Sequence, residues 1–227
     1  MPALVNLPFL YSKAPFNELL ARLQYSDQPS KLGAKNIYNN VMYTAAGEAG
    51  ARVAGISYED LVRQKVLEPL GLHNTGFFVD GMLAKSPDNH TQPFVTASFE
   101  AAQKGEFMRM EHEKQYSHLS AAGDMYSNVL DLVRWGKTVL DLGQLEGKQV
   151  LDKASVEQVL RPHTIMDLSS RRSAEFAPAM TYGLGWVLDS YKGQTLFWHG
   201  MCFLCFFLAQ GFVLSTISHS FTSWEFF

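Results

Sequence analysis

The triplet Tyr38-Asn39-Asn40 carries side chains that could take part in proton transfer and in amide recognition. A tyrosine whose pKa is lowered by a nearby cation can relay a proton, and the amide of Asn40 can both donate and accept hydrogen bonds. The same triplet also suits a structural role, in which Tyr38 packs against neighbours and Asn40 lies near the N-cap of the helix that follows. Taken alone, the triplet favours the structural role.

A second candidate for chemistry is His199, which lies with Gly200 at the end of a segment rich in aromatic and β-branched residues. Such a segment is typical of a strand, and a histidine at a strand end can face a cleft. The exposed backbone beside Gly200 can offer N–H groups to an oxyanion. A histidine with satisfied hydrogen bonds at a strand terminus explains the same pattern.

Other chemical motifs are weak. Cys202 and Cys205 form one C-x-x-C spacing, which reads either as a redox or metal pair or as two small hydrophobic residues in an apolar run. The second interpretation is favoured, because no second pair and no nearby charge accompanies them. His112-Glu113 lacks the second histidine of a zincin, and the sequence contains no G-x-S-x-G elbow and no phosphate-binding glycine loop. We therefore expect no metal and no cofactor.

The bulk composition is that of a globular protein. The 227 residues are 47% hydrophobic and 18% charged, which is enough apolar material for a sizeable core. The net charge of -3 and the absence of a Lys/Arg-rich run argue against nucleic acid as a partner. The first residues lack the basic region of a secretory signal, so we expect a cytoplasmic location.

Apolar residues recur at helical spacing in several segments, which predicts helices over residues 15–24, 41–53, 58–67, 128–142 and 153–160. Ser57 and Ser127 are the expected N-caps of the third and fourth of these helices. Pro69 and Gly71 are expected to stop the third helix. The small residues of the second helix predict close packing, and residues 74–120 are expected to form long loops with short strands.

The last part of the chain changes character, since no Asp, Glu, Lys or Arg occurs from Gly193 to Trp224. Residues 182–188 and 194–198 read as strands. The segment 201–218 sits at the lower edge of the length of a membrane span, or it forms two buried strands, 203–208 and 212–217. Strands are favoured, because sheet already precedes the segment and no basic residues flank it.

Five segments, in chain order, resemble the serine beta-lactamase-like family, which includes class C beta-lactamases, DD-peptidases (penicillin-binding proteins) and related esterases. They are similar to its Tyr-x-Asn segment, its "PLG-hydrophobic-x-x-T" segment, its "AGG-x-x-S-x-x-D" segment, a Tyr-Gly-x-Gly-Trp segment and a His-Gly pair. The segments are Tyr38–Tyr43, Val66–Gly76, Leu119–Leu132, Tyr182–Trp186 and His199-Gly200. Agreement of all five in order is far more specific than any one of them.

The resemblance implies an α+β, beta-lactamase/transpeptidase-like fold, here a helical lobe with the C-terminal part of an antiparallel sheet. It also implies hydrolysis of esters or amides through an acyl-serine that a lysine activates. In this family Tyr38 would be the general base or proton relay, and Asn40 would hold the amide of the substrate. His199 would occupy the place of the lysine in a Lys-Thr-Gly motif, and Gly200 would line the substrate groove.

The chain departs from the family where the nucleophile is expected. The family's serine and lysine lie three residues apart, which puts both side chains on one face of a helix. No serine of this chain is followed three residues later by lysine; the residues at that spacing after Ser12 and Ser57, for example, are Pro15 and Asp60. Met201 also stands where many relatives have a second glycine. We therefore expect an incomplete fold, catalytic inactivity, and a gene product truncated at its front and altered near residue 201.

These observations predict a partial beta-lactamase-related domain over residues 1–200 and a divergent apolar tail over residues 201–227. Three functional hypotheses stay open. The chain is an inactive member of a serine hydrolase family, or a non-catalytic remnant that binds a small ester or amide between Tyr38, Asn40 and His199. The third hypothesis is association with a membrane through residues 201–218, which is the least favoured.

Overall fold

The computed structural model describes residues 16–25, 30–31, 33–112, 120–166, 180–191, 193–200 and 214–215. These residues belong to two compact units. The first unit comprises the described residues up to 25 together with 39–131, and it is mainly helical. The second comprises the described residues 30–38 together with those from 132 onward, and it contains the largest sheet. The combination of helices with antiparallel strands is the predicted α+β class.

The first unit begins with two of the predicted helices. Helix α1 spans Phe16–Ala21 and continues as a 3-10 turn over Arg22–Tyr25, and helix α2 spans Asn40–Ala54. Leu19 of α1 and Val41 of α2 bury each other. The chain reverses after α2 at Gly55, whose φ of 71° lies in the left-handed region that glycine adopts without strain.

The N-cap of α2 is Asn39, so Asn40 lies directly beside the cap, as predicted. Asn39 has extended backbone angles, and its side-chain oxygen accepts a hydrogen bond of 3.2 Å from the backbone N–H of Met42. Asn40 is already the first helical residue, so its own side chain is not placed to accept from the first turn.

Close packing of α2 is confirmed. A Cβ added to Gly47 would lie 2.4 Å from the Cβ of Ala121 and 3.0 Å from the ring of Tyr58. Ala121 belongs to helix α7, Ser120–Gly123. Gly47 therefore lets two backbones approach more closely than any side chain would allow.

The third predicted helix is longer than expected. Helix α3, Tyr58–Val62, passes through a π turn over Arg63–Leu67 into helix α4, Glu68–Leu70. Pro69 does not stop it, because the helical backbone continues past the proline to Leu70, with the π turn directly before it. Gly71, at φ 63°, ends the helix as predicted, and Ser57 caps its start by accepting from the N–H of Asp60 at 3.0 Å.

The segment after Gly71 contains short strands, as predicted, and also short helices that were not predicted. The strands are β1, Gly76–Phe77; β2, Phe94–Val95; β3, Met108–Arg109; and β4, Met125–Tyr126. Strand β1 pairs with β4 and β2 pairs with β3, both antiparallel. The helices are α5, Val79–Lys85, and α6, Phe99–Gln103; each spans two turns or fewer, too short for a periodicity to show in the sequence.

Two further helices agree with the prediction in position. Helix α8 spans Val129–Leu140 and helix α9 spans Lys153–Val159. The N-cap of α8 is Asn128 and not the predicted Ser127, because the side-chain oxygen of Asn128 accepts from the N–H of Asp131 at 2.9 Å. Between α8 and α9 lies a small hairpin of β5, Gln144–Leu145, and β6, Lys148–Gln149.

The main sheet of the second unit is antiparallel, with the strand order β11-β10-β9-β8-β7. Its strands are β7, Thr164–Ile165; β8, Thr181–Tyr182; β9, Val187–Tyr191; β10, Gln194–Trp198; and β11, Leu214–Ser215. The predicted strand over 182–188 is wrong as a single strand. A turn divides it, in which Gly183 N–H donates to the carbonyl of Trp186 at 2.7 Å and Gly185 has φ 85°.

The uncharged segment after Gly200 lies mostly outside the described residues, including the whole of the predicted strand 203–208. Within the predicted strand 212–217, Leu214–Ser215 does pair with β10, with Phe197 opposite Leu214. In the part of the chain that the structure describes, none of the helices has the length and hydropathy needed to cross a membrane.

The sheet of the second unit packs on helices α8 and α9. Val139 of α8, Val156 of α9, Leu188 of β9 and Phe197 of β10 form one buried cluster. The buried side chain of Phe197 anchors the end of strand β10 on these helices, two residues before His199.

Candidate active site

Tyr38 and His199, 161 positions apart in the sequence, lie side by side in the second unit. Their ring centroids are 6.1 Å apart and the rings are tilted by 37°. Strand β10 positions the histidine, which comes directly after Trp198. The segment of Tyr38 is held at the other edge of the sheet, where the side-chain amide of Asn36 donates to the hydroxyl of Thr164 in β7 at 2.9 Å. The structure therefore brings together two of the four predicted site residues.

The turn between β8 and β9 supports His199 from a further side. The ring of Tyr182 meets the histidine ring edge-on, with 6.4 Å between the centroids. The backbone of Gly185 forms a hydrogen bond with the imidazole. The sequence predicts a motif over this turn but no site residue within it. The signal that could have found them is the pair of glycines around Leu184, which predicts a turn rather than a strand.

The environment of His199 favours a neutral ring. Burial lowers the pKa of His199 below its ordinary value of 6.5, and the hydrogen bond with the Gly185 backbone opposes this only in part. Nδ1 of the ring is buried and has no hydrogen-bond partner among the described residues. A neutral imidazole can donate from one nitrogen and accept at the other, so the position offers an acid–base group.

This neutrality bears on the role predicted for Tyr38. A tyrosine needs a nearby cation for its pKa to fall and for it to act as a base near neutral pH. A neutral His199 does not provide that cation. About half of the Tyr38 side chain is exposed to solvent, so the phenol remains accessible to a ligand that enters beside the histidine.

The structure does not test the roles predicted for Asn40 and Gly200. Asn40 is the first residue of α2, where its carbonyl accepts from the hydroxyl of Thr44 at 3.0 Å, and it belongs to the first unit. Its predicted role with His199 stays a prediction. Gly200 is exposed, and a Cβ there would make an ordinary contact of 3.6 Å with the ring of Trp198. Its predicted place in a substrate groove is likewise untested.

Two other segments of the resemblance meet in the first unit. The buried carboxylate of Asp131 accepts from the hydroxyl of Thr75 at 2.7 Å and from the N–H of Asn74 at 2.8 Å. The hydroxyl of Ser127 is 2.7 Å from that of Thr75. These side chains form a closed hydrogen-bond network that joins the start of α8 to the turn after α4. Their role in this structure is to hold elements together.

Metal ligation finds no support in the described ranges. No group of three or more His, Cys, Asp or Glu side chains lies there in a geometry that could hold a metal ion. Cys202 and Cys205 lie outside the described residues, so the structure tests neither interpretation of their spacing.

Comparison with known proteins identifies the family. Residues 3–224 match the model of the Beta-lactamase family. The match covers most of the chain, and the chain therefore belongs to the beta-lactamase family. This confirms the resemblance that the five segments indicated.

Individual relatives are distant. The unguisins hydrolase ungD' of Aspergillus campestris is 20% identical over 186 residues, which are 82% of this chain and 32% of that protein. The octameric penicillin-binding protein homologue of Pyrococcus abyssi superposes with a TM-score of 0.60 and 20% identity, over 87% of this chain and 42% of that one. The D-stereospecific amidohydrolase of a Streptomyces species gives 0.59 and 20%, over 86% and 52%.

These likenesses show the fold, which is beta-lactamase/transpeptidase-like as predicted. They also show that the chain spans only about a third to a half of the length of such relatives. The relatives include hydrolases by name, and the family of this chain is one of hydrolases.

Proposed function

We propose that this chain carries the ligand-positioning and proton-transfer side of a beta-lactamase-related hydrolase site, and that the 227 residues alone bind small esters or amides without cleaving them. The observation that supports this most directly is the pairing of Tyr38 with His199 at the end of β10.

The covalent route needs groups that these residues do not include. Acyl transfer in the family starts with a serine that a lysine activates from the same helical face. No serine of the chain stands at that spacing from a lysine. The neutral His199 could accept a proton, but an acid–base group without a nucleophile does not form an acyl intermediate.

The chemistry of the pair fits a carbonyl ligand. The phenol of Tyr38 can donate a hydrogen bond to a carbonyl, and a neutral His199 whose N–H bonds the Gly185 backbone offers its other nitrogen as an acceptor beside it. The ring of Tyr182 adds an apolar edge beside them. An ester or an amide presents a carbonyl beside apolar substituents, and one similar structure is that of a D-stereospecific amidohydrolase by name.

Fluorophosphonate labelling of the purified chain tests the covalent part of the proposal. Only an activated serine reacts with this probe, so we expect no mass increase under conditions in which an active beta-lactamase-family enzyme labels fully. A labelled serine whose replacement stops the hydrolysis of a chromogenic ester would overturn the proposal.

The binding part is tested by NMR titration with a small amide such as N-acetylphenylalanine amide. We expect the resonances of His199 to shift, and we expect the variants His199→Gln and Tyr38→Phe to weaken the affinity by about three- to tenfold, the worth of one hydrogen bond. Unchanged binding in both variants would show that the ligand does not use this pair.

Location and membrane contact are also open to experiment. A cytoplasmic location stays a proposal, which fractionation of cells that express the chain would test. If the chain instead associates with membranes through residues 201–218, it will remain in the membrane pellet after a carbonate wash; we expect it in the supernatant.

A further inference from the structure

The second unit contains a cavity of about 440 Å³ that is separate from Tyr38 and His199. It lies between the C-terminal end of α8, helix α9 and strand β10. Its floor is apolar, and its rim carries Glu157, Gln158 and Arg161. The apolar floor consists of Leu140, Leu142, Ala154, Leu160 and Phe197. This volume falls within the range of about 300–1,000 Å³ that is usual for ligand pockets, which likewise combine apolar walls with a few polar groups.

The two charged residues of the rim differ in whether they have an ion-pair partner. Glu157 lies 3.8 Å from Lys153, four residues earlier on α9. Arg161 is exposed and has no carboxylate within salt-bridge distance among the described residues. The guanidinium is therefore the charged group of the rim that is left to pair with a ligand, and it prefers a planar anion that can accept two parallel hydrogen bonds.

The backbone that carries Arg161 is held in place. The N–H of Leu184 donates to the carbonyl of Val159 at 3.0 Å. A Cβ added to Gly183 would lie 2.4 Å from that same carbonyl oxygen and 3.0 Å from the carbonyl oxygen of Arg161. The turn between β8 and β9 therefore packs directly on the end of α9, and the rim of the cavity is formed before a ligand arrives.

We propose that this cavity binds an aliphatic monocarboxylate, with its hydrocarbon chain on the floor of Leu140, Leu142 and Phe197 and its carboxylate on Arg161. Burial of each methylene group contributes about 0.8 kcal/mol, so affinity increases with chain length until the floor is covered. The site is independent of the proposed hydrolase site, since neither Tyr38 nor His199 lines it.

Isothermal titration calorimetry of the full chain with octanoate tests the proposal, with octan-1-ol as the uncharged analogue of equal length. We expect saturable binding of one octanoate and binding of octanol that is weaker by about tenfold or more, the worth of a hydrogen bond to a charged group. Butanoate should bind more weakly than octanoate, because it leaves part of the apolar floor uncovered.

Variants separate the two halves of the site. Arg161→Gln should weaken the binding of octanoate by about tenfold or more and leave the binding of octanol unchanged. Ala154→Leu places a good helix former at an exposed position of α9, and it should block both ligands by filling the cavity. Glu157→Gln should increase the affinity for octanoate, because it removes a negative charge that repels the carboxylate of the ligand.

Arg109→Gln is the matched control, since Arg109 is an exposed arginine of the first unit that does not line the cavity. Circular dichroism melts on the same samples establish that each variant is folded. The proposal is wrong if folded wild-type chain shows no saturable binding of octanoate, if octanol binds equally well, or if Arg161→Gln binds octanoate like Arg109→Gln.

Discussion

The hydroxyl of Thr75 donates a 2.7 Å hydrogen bond to the carboxylate of Asp131, 56 residues further along the chain, and both side chains are buried. The same carboxylate oxygen accepts from the N–H of Asn74, and Ser127 closes the network through Thr75. A buried carboxylate is costly unless hydrogen bonds satisfy it. Two segments that mark the family in the sequence therefore act here as one structural clamp.

Replacement of Asp131 by Ala should destabilise the protein by about 2–4 kcal/mol, because it removes a charged acceptor that receives two hydrogen bonds, from the buried Thr75 hydroxyl and from the partly buried N–H of Asn74. Thr75→Val should cost less, about 1–2 kcal/mol, since Asp131 keeps its bond from Asn74. Urea unfolding measures both values. Asp141→Asn is the control: its carboxylate is partly exposed and, among the described residues, forms an ion pair with Lys137 alone, so its loss should change the free energy of unfolding by about 0–1 kcal/mol. Equal effects of Asp131→Ala and Asp141→Asn would contradict the clamp.

The cap of α2 gives a comparison between adjacent asparagines. Asn39→Ala removes the acceptor for the N–H of Met42 and should lower stability by about 0.5–2 kcal/mol. Asn40→Ala, already inside the helix, should have little effect or raise stability slightly, because alanine has the higher helix propensity. Thermal unfolding of the two variants, followed by circular dichroism, would show the assignment of the cap to be wrong if Asn40→Ala were the more damaging change.

Gly47 and Gly50 of α2 form a second matched pair. Gly47→Ala forces a Cβ to within 2.4 Å of Ala121 and should destabilise the protein by about 1–3 kcal/mol through overpacking. At Gly50 the nearest atom to an added Cβ is 3.7 Å away, an ordinary contact with Leu61. Gly50→Ala should therefore stabilise the protein by up to about 1 kcal/mol. Chemical denaturation of both variants checks the opposite signs, and a stable Gly47→Ala protein would mean that α2 and α7 are not so close.

The sequence allowed prediction of the longer helices and of the main strands because those elements have many residues with a consistent pattern. It failed where a local hydrogen bond decided the outcome. Asn128 caps α8 next to the predicted Ser127, since either of these polar side chains could serve and only the backbone angles select one. Pro69 was predicted to stop the third helix, because the sequence does not reveal the π turn that precedes the proline.

For the candidate site, the sequence identified the residue types but not their surroundings. Tyr38 and His199 were both named, and the structure brings them together. The lowered pKa of His199 could not be predicted from neighbours along the chain, because burial by tertiary contacts produces it, against the opposing hydrogen bond with the Gly185 backbone. Asn36, which fixes the segment of Tyr38 to β7, carried no signal in the sequence for the same reason.

The pH dependence of stability should report on His199. Burial lowers the pKa of this histidine below 6.5 in the folded state, so the unfolded chain takes up a proton first as the pH falls. The stability contributed by the neutral ring is complete above pH 6.5 and is lost as the pH falls toward and through the folded pKa. His112 acts in the same direction, because burial and then the charges of His90 and Arg109 lower its pKa.

Urea unfolding at about pH 7.5 and about pH 5.5 should therefore show a lower free energy of unfolding at the acid pH, and His199→Gln should reduce that difference. His112→Gln should reduce it as well, so the double variant should have the flattest profile. An NMR titration assigns the effect to the individual ring, since the signal that disappears in His199→Gln should titrate below 6.5. A His199 signal that titrates at or above 6.5 would mean that the ring is solvated or paired with an acid. The ring would then not be held neutral by burial, and the proposed ligand site, which depends on a neutral imidazole, would be wrong.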